Sequence, residues 1–308
     1  MARLRIVTRK SPLAMWQAEH VAARLREAHP GLEVVIEGVM TSADRFLDRP
    51  LSAAGGKGLF VKELEHALLA GHADIAVHSV KDVPVSLPPG LAMPVVLERE
   101  DPRDVFVSPA AGGLEDLPPG ARVGTSSLRR RCQLLYRRPD LMVLDIRGNV
   151  GTRLGKLDAG DFDALVLAAA GVLRLGLAER IREFLPTDVM LPAIGQGALG
   201  IECREDDAAT RELIAPLRHE DTYRCVLAER ALSRRMYGDC HVPIAGHAMI
   251  RDGELTLDAL VGRLDGSELV RRTSAGPATD AEALGDALGR EILDAGGDAI
   301  LRASRHGG

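Results

Sequence analysis

Two strand-to-helix turns within residues 121–153 (ARVGTSSLRRRCQLLYRRPDLMVLDIRGNVGTR) constrain the fold of this chain more than any other feature. In the first, a predicted strand at 122–125 runs into Ser126-Ser127, which can cap a helix. In the second, a predicted strand at 141–146 leaves through Arg147-Gly148-Asn149 into another helix start. Such strand–helix units predict an α/β sheet with a ligand site where the strands end.

The arginines at these turns predict an anion site. Free backbone N–H groups and guanidinium forks suit several carboxylates or phosphates at once. Only five of the 39 basic residues are lysine, so an arginine run alone is weak evidence, and Arg137-Arg138 fits a solvated helix face as well. Attachment to a Ser, Thr or Gly turn favours binding at Arg129, Arg130, Arg147 and Arg153.

Composition limits the ligand class. A length of 308 residues allows two or three domains, and a net charge of −5 with 3% aromatic residues disfavours nucleic acid. A basic cleft in an acidic body suits a small polyanion better. No apolar run reaches the roughly 18 residues of a membrane span, and the chain enters a strand without an apolar signal segment. The four cysteines lack CxxC spacing, which predicts no metal site, no disulfides and a cytoplasmic location.

Two further strand ends carry candidate residues. A predicted βαβ unit opens the chain, with Arg9 and Ser11 between its first strand and a helix at 12–28. A predicted buried strand at 75–77 is followed closely by four polar residues, His78, Ser79, Lys81 and Asp82. A carboxylate beside an ammonium group at such an exit is a common acid/base arrangement, although a solvated turn with an ion pair is the alternative. His78 by itself is interpreted as a packed or hydrogen-bonded histidine.

Two loops need separate treatment. The loop at 51–58 (LSAAGGKG) lacks the spacing of a phosphate-binding loop and is predicted to be a mobile lid carrying Lys57. Cys240 lies in a predicted loop between Gly-Asp and His-Val-Pro, which favours a reactive or modified thiol. There His241 could act as a base, whereas Asp239 opposes thiolate formation. The other cysteines are predicted to be buried small apolar residues: Cys132, Cys203 and Cys225.

The chain resembles the porphobilinogen deaminase family, also called hydroxymethylbilane synthase. The similar stretches run in family order from Thr8 to about Ile244: TRKSPLAMWQA, GGKGLFVKELEHALL, ADIAVHSVKDVP, EREDPRDVFV, VGTSSLRRRCQL, RGNVGTRLGKLDAG, LPAIGQGALGIECR and GDCHVPI. The resemblance implies a transferase that joins four porphobilinogen molecules head to tail, releasing ammonia at each step. The product is hydroxymethylbilane, a precursor of heme and related tetrapyrroles.

The resemblance and the strand–helix order together predict an α/β fold with two periplasmic-binding-protein-like lobes, a hinged cleft and a small C-terminal α+β domain. The predicted domains are 1–98 with 197–216, then 103–192, and finally 218–308. We expect a cytoplasmic monomer that has porphobilinogen as its partner and binds neither nucleic acid nor membrane.

The resemblance also implies a dipyrromethane cofactor, covalently attached through a thioether to Cys240. Cofactor-binding positions are Lys81, Ser127, Arg129, Arg130, Arg147 and Arg153. Substrate-binding positions are Arg9, Ser11, Arg147, Arg153, Arg174 and Gln196. Asp82 matches the catalytic carboxylate, which stabilises cationic pyrrole intermediates and shuttles protons. Two departures from the family pattern are Ala53, where some members have a lysine, and Asp239, where a glycine is common.

Two other readings remain possible without the resemblance. One is a two-lobed binding protein or sensor for a small polycarboxylate. The other is a DNA-binding regulator, which the negative charge and the lack of a helix-turn-helix element disfavour.

Overall fold

The computed structural model describes residues 3–41, 61–236 and 242–306. The chain forms two compact units, Met1–Glu100 with Ala198–Tyr223 and Asp101–Gly197 with Arg224–Gly308. The finer division of the second unit into two domains stays a prediction.

The strands are β1 (Arg3–Arg9), β2 (Glu33–Val39), β3 (Ile75–Ser79), β4 (Leu91–Val96), β5 (Asp104–Val107), β6 (Arg122–Gly124), β7 (Met142–Leu144), β8 (Ala164–Ala168), β9 (Glu183–Leu185), β10 (Leu199–Arg204), β11 (Ile244–Arg251), β12 (Glu254–Gly262) and β13 (Leu269–Pro277). The helices are α1 (Pro12–Ala28), α2 (Lys62–Leu69), α3 (Leu128–Arg137), α4 (Val150–Asp158), α5 (Ala169–Arg174), α6 (Ala208–Ile214), α7 (Glu220–Arg235), α8 (Ala281–Ile292) and α9 (Asp298–His306).

The two five-stranded sheets have the same topology. Their strand orders are β2-β1-β3-β10-β4 and β7-β6-β8-β5-β9. In each, three parallel strands are followed by one antiparallel strand, β10 or β5, and then by an edge strand. The carboxyl ends of the three parallel strands therefore share one edge of each sheet, which is where open α/β sheets bind ligands.

The first sheet carries helices over both faces. On one face α1 packs through Ala18, Val21 and Leu25, which recur at helical spacing and lie in a core with the inward side of β1 and β3. On the other face α2 packs through Leu64 and Leu68 in a second core cluster. Burial on both faces matches the near-continuous apolar runs of these strands.

The C-terminal sheet is antiparallel, in the order β11-β12-β13, and packs with α7 and α8 in one core. Asp252 and Gly253 join β11 to β12 with φ of 52° and 81°. The Asp-Gly pair in the sequence predicts a hairpin turn here. Positive φ at both central residues is the primed turn that matches strand twist, so this prediction is confirmed.

The predicted strands at 75–77, 122–125 and 141–146 and the predicted helix at 12–28 agree with β3, β6, β7 and α1 within two residues at each end. Three elements differ from the sequence prediction. The sequence predicts Asp221 as the cap of a long helix, but α7 begins at Glu220, and there the His219 ring nitrogen Nδ1 accepts the Thr222 N–H at 3.3 Å. Strand β9 and helix α9 were not anticipated.

Candidate functional site

A polar recess lies at the carboxyl edge of the first sheet. It encloses about 60 Å³ between the first turns of α1 and α2. Its polar lining comprises Arg9, Ser11, Gln17, His78, Ser79 and Asp82. The structure therefore brings together Arg9, Ser11 and Asp82, which were predicted as site residues from separate sequence motifs.

Short-range bonds build the wall of this recess. Ser11 Oγ accepts the Ala14 N–H at 3.4 Å, and Pro12 follows as the first helical residue, so the predicted cap of α1 is confirmed. Thr8, fully buried at the end of β1, donates its hydroxyl to the Ala14 carbonyl at 3.2 Å. Across the recess, Gln17 Nε2 donates to Ser79 Oγ at 2.8 Å, which ties α1 to the end of β3.

Asp82 lies in a single 3₁₀ turn, Val80–Asp82, directly after β3. The Val80 N–H donates to the Ala198 carbonyl at 3.0 Å, and the Val83 N–H closes the turn onto the Val80 carbonyl at 3.1 Å. Backbone bonds on both sides therefore fix the turn and leave the half-buried carboxylate at the recess. Lys81 is in the same turn and is also half-buried.

His78 is buried and hydrogen-bonded, as interpreted from the sequence. Its Nε2 lies 2.8 Å from Glu202 Oε2 on β10, and the two residues are 6% and 0% exposed. Burial raises the pKa of the nearby Glu65 carboxyl on α2, and the charge of Glu202 raises it further. Neither glutamate was identified from the sequence, because each lies inside an otherwise ordinary helix or strand pattern.

The second unit contains a closed cation cluster around Asp104. Asp104 lies at the start of β5 with no exposed surface, and Arg129 and Arg130 are 4% and 6% exposed. Arg129 Nη2 lies 2.7 Å from Oδ2, and Arg130 Nη2 donates to Oδ1 at 2.7 Å. Gln196 Nε2 donates to the same Oδ1 at 3.0 Å and to the Pro102 carbonyl at 2.6 Å.

Helix α3 positions both arginines. Its predicted cap is confirmed, since Ser127 Oγ accepts the Arg130 N–H at 3.4 Å. Arg129 Nη1 also donates to the Leu191 carbonyl at 2.7 Å, and Gln133 bonds that same residue through both its carbonyl and its N–H. Consecutive arginines on one turn thereby reach one buried carboxylate from two directions.

The cluster carries an uncompensated positive charge. Burial alone would raise the pKa of the Asp104 carboxyl, but the facing guanidiniums of Arg129 and Arg130 lower it to about 2. Burial lowers the pKa of the Arg129 guanidinium, and Asp104 opposes that shift. Within the described residues, Arg129 Nε is buried without a hydrogen-bond partner. The cluster thus contains two guanidinium groups, one carboxylate and one N–H donor without a partner, a combination that suits an anionic ligand.

The other predicted arginines are half-exposed: Arg147, Arg153 and Arg174. Asn149 Oδ1 accepts the Thr152 N–H at 2.9 Å and caps α4, which places Arg147 before and Arg153 within the first turns. Gly148 has a φ of +113°, and a side chain there would also collide with Thr152, so the turn requires glycine. Arg174 ends α5 and donates through Nη2 to the Gly197 carbonyl at 2.8 Å.

Cys240 and Lys57 lie outside the described residues. The other three cysteines are buried, as predicted. Burial raises the pKa of the Cys132 thiol to about 12 and that of Cys203 to about 11, so both remain unreactive thiols near neutral pH. Across the described ranges, no group of side chains could hold a metal ion, and no helix is long and apolar enough to cross a membrane.

Two mixed α/β sheets of the same topology, a polar recess and a cationic cluster define the class as a two-lobed α/β protein. The chain matches the family model "Porphobilinogen deaminase, dipyromethane cofactor binding domain" over residues 4–212 and "Porphobilinogen deaminase, C-terminal domain" over 223–294. The chain therefore belongs to the porphobilinogen deaminase family of transferases, whose first domain binds a dipyrromethane cofactor.

Solved structures with similar folds include two binding proteins and a lipoprotein. The methionine-binding protein MetQ has 13% identity and a TM-score of 0.46, covering 72% of this chain and 90% of its own. The aliphatic sulphonate binding protein SsuA from Escherichia coli has 16% identity and a TM-score of 0.42, covering 77% and 71%. A YaeC-family lipoprotein from Enterococcus faecalis has 12% identity and a TM-score of 0.42, covering 70% and 91%. Because these scores are below 0.5, the fold class rests on this chain's own sheets, which confirm the predicted two α/β lobes and the C-terminal α+β region.

Proposed function

We propose that this enzyme joins four porphobilinogen molecules head to tail, releases ammonia at each step and yields hydroxymethylbilane on a dipyrromethane primer attached to Cys240. The observation that carries the proposal is the family match, which spans both units and includes the cofactor-binding domain. Porphobilinogen and its oligomers carry acetate and propionate groups, so each added unit brings two more carboxylates to be held by cations.

The cation cluster fits such a ligand. The residues that would hold the cofactor are Cys240, Lys81, Ser127, Arg129, Arg130, Arg147 and Arg153. When bound, the dipyrromethane group supplies the ring carbon to which the first substrate unit is joined. Arg129 and Arg130 are immobilised by Asp104, so they contribute a fixed positive field, whereas half-exposed Arg147 and Arg153 can contact carboxylates directly.

Substrate carboxylates would be bound by Arg9, Ser11, Arg147, Arg153, Arg174 and Gln196. Asp82 serves as the catalytic carboxylate. A carboxylate fixed at a half-buried turn can stabilise a positive charge on a pyrrole ring and exchange a proton with it, which is the role proposed for Asp82. Lys57, which precedes α2 in the sequence, would supply a further cation. We also propose that the protein acts as a monomer in the cytoplasm.

The intact mass of the denatured protein, followed by peptide mapping, tests the proposal. An excess mass of two linked pyrrole units on the peptide holding Cys240 is expected. If the protein has only its polypeptide mass, porphobilinogen is added and the measurement repeated. A mass that still does not rise, together with no ammonia release, would contradict the proposed reaction, and a Cys240→Ser variant should never acquire the excess.

A further inference from the structure

The His78–Glu202 pair lies behind the Asp82 recess and has no role in the assignment so far. Gly200 faces His78 across the β3–β10 ladder and Glu202 faces Ala76, so the side chains of His78 and Glu202 leave the same face of the sheet. This is the face covered by α2. The imidazole reaches across the ladder to Glu202 through Nε2, while His78 also lines the recess that contains Asp82.

The two ends of the pair have different environments. In the described part of the chain, His78 is the hydrogen-bond partner of Glu202, and Glu202 Oε1 is buried with none. His78 is thus the polar link between this fully buried carboxylate and the recess. His78 Nδ1 has no hydrogen bond to any other described residue. The imidazole therefore lines the recess on one side and contacts the buried Glu202 carboxylate on the other.

We propose that His78, with Glu202 behind it, is a proton-carrying pair that serves the Asp82 recess. The proposal rests on the proposed function, in which joining two pyrroles breaks one ring C–H bond and releases one proton. His78 Nδ1 takes up that proton, and the proton on Nε2 passes to Glu202 Oε2. The imidazole stays neutral and Glu202 becomes a neutral acid. The reverse transfer resets the pair by returning the proton through His78 Nδ1 to the amine that leaves the next porphobilinogen as ammonia.

Other charged groups around the pair define the background of any titration. They come from the end of β1, from α2 and from the turn after β3, and they are Arg9, Lys62, Glu65 and Asp82. Asp82 reaches the same recess as His78, so two proton acceptors share one site. Asp82 can then stabilise the cationic ring and exchange a proton with it, while His78 carries the released proton out of the recess.

The test uses the holoenzyme and the His78→Gln variant. Glutamine places an amide N–H near the position of Nε2, so it can keep the bond to Glu202, but it cannot take up a proton. The expected result is a fall in kcat of about 10²-fold with KM changed by less than about twofold, an unchanged cofactor mass and the loss of one titrating group from the pH profile of kcat.

Glu202→Gln is the second variant and keeps the size of the side chain. It should lower kcat by about tenfold, because the imidazole keeps its recess contact but loses its proton acceptor. The matched control is His29→Gln in the same unit. His29 also bonds through Nε2, to the Leu213 carbonyl at 2.8 Å, but does not line the recess. Its kcat and pH profile should be unchanged.

Three outcomes would overturn the proposal. They are an active His78→Gln enzyme with the original pH profile, a loss of kcat with that profile retained, and a loss of activity explained by a lower melting temperature in both variants. The last two would make the pair purely structural. Failure of the proposed function is distinguished by the unmutated enzyme, which would then release no ammonia from porphobilinogen.

Discussion

The recess of the first unit and the cation cluster of the second occupy the same edge of two sheets with the same topology, yet they are built differently. The recess is open and lined by neutral and charged groups, with Asp82 half-buried. The cluster is closed around Asp104, and its two arginines have little exposed surface. A group that must exchange protons needs access, whereas a group that only supplies charge is most effective when held rigidly in a low-dielectric site.

The ion pairs of Asp104 also distinguish charged groups that stabilise the fold from charged groups that are available to bind a ligand. Removing one partner of a buried ion pair leaves an uncompensated buried charge, and the cost is far larger than for an exposed pair. The first unit has no arginine–carboxylate pair this deeply buried among its described residues; its Arg5–Asp74 pair is partly exposed. The comparison predicts that mutations in the recess affect activity and that mutations in the cluster affect folding first.

The largest expected effect is that of Asp82→Asn. The amide keeps the shape of the turn but can neither stabilise a cation nor accept a proton, so kcat should fall by about 10²- to 10⁴-fold. The melting temperature and the cofactor mass should be unchanged. The exposed Asp206→Asn, in the same unit, is the control and should retain full activity. Near-normal turnover in Asp82→Asn would remove the recess from the mechanism.

Asp104→Asn should mainly reduce stability. It leaves two buried guanidiniums without their counter-charge, so the free energy of unfolding of the second unit should drop by about 3–5 kcal/mol in urea titrations. Asp163→Asn is the matched control, because Asp163 pairs with Arg122 in the same unit but its side chain is 41% exposed. That change should cost less than about 1 kcal/mol. Equal losses of unfolding free energy in the two variants would contradict the contrast between the buried and the exposed ion pair.

Acid should weaken the cluster through the same carboxylate. The pKa of Asp104 is about 2 in the folded chain and 3.8 as the reference value, so its contribution of about 2 kcal/mol is present above pH 4 and is lost as the pH falls through 2. Urea unfolding at pH 7, 4, 3 and 2 measures this. The Asp104→Asn variant should show a correspondingly smaller decline over the same range.

The smallest effect is expected for Arg174→Gln. Arg174 is half-exposed and donates to the Gly197 carbonyl, and its loss should raise KM by about tenfold through a lost carboxylate contact, with the fold intact. Arg182→Gln is the control. Arg182 is exposed and likewise donates to a backbone carbonyl, that of Ser108, at 3.1 Å, but it is not among the predicted site residues. Identical KM values in the two variants would remove Arg174 from the substrate site.

The sequence by itself determined where the regular elements and their caps lie. Ser11 and Ser127 each cap a helix by accepting the backbone N–H of the residue three positions later. The hairpin at Asp252-Gly253 depends on two adjacent residues. Each signal is therefore contained in a short window of sequence. The family motifs likewise identified the strand-end residues, including Asp82. The predicted boundary was wrong at the start of α7, where neighbouring residues compete to cap the helix. Strand β9 was missed because its three residues are too few to show periodicity.

Only the tertiary structure decided which charges meet. His78 and Glu202 are 124 residues apart and become neighbours because β10 returns to pair with β3, and Asp104 meets Arg130 from 26 residues away across the second sheet. Helical or strand periodicity describes one element at a time and contains no information on which strands pair. The sequence therefore predicted an arginine-rich anion site, and the fold decided that two of its arginines are buried and paired with Asp104.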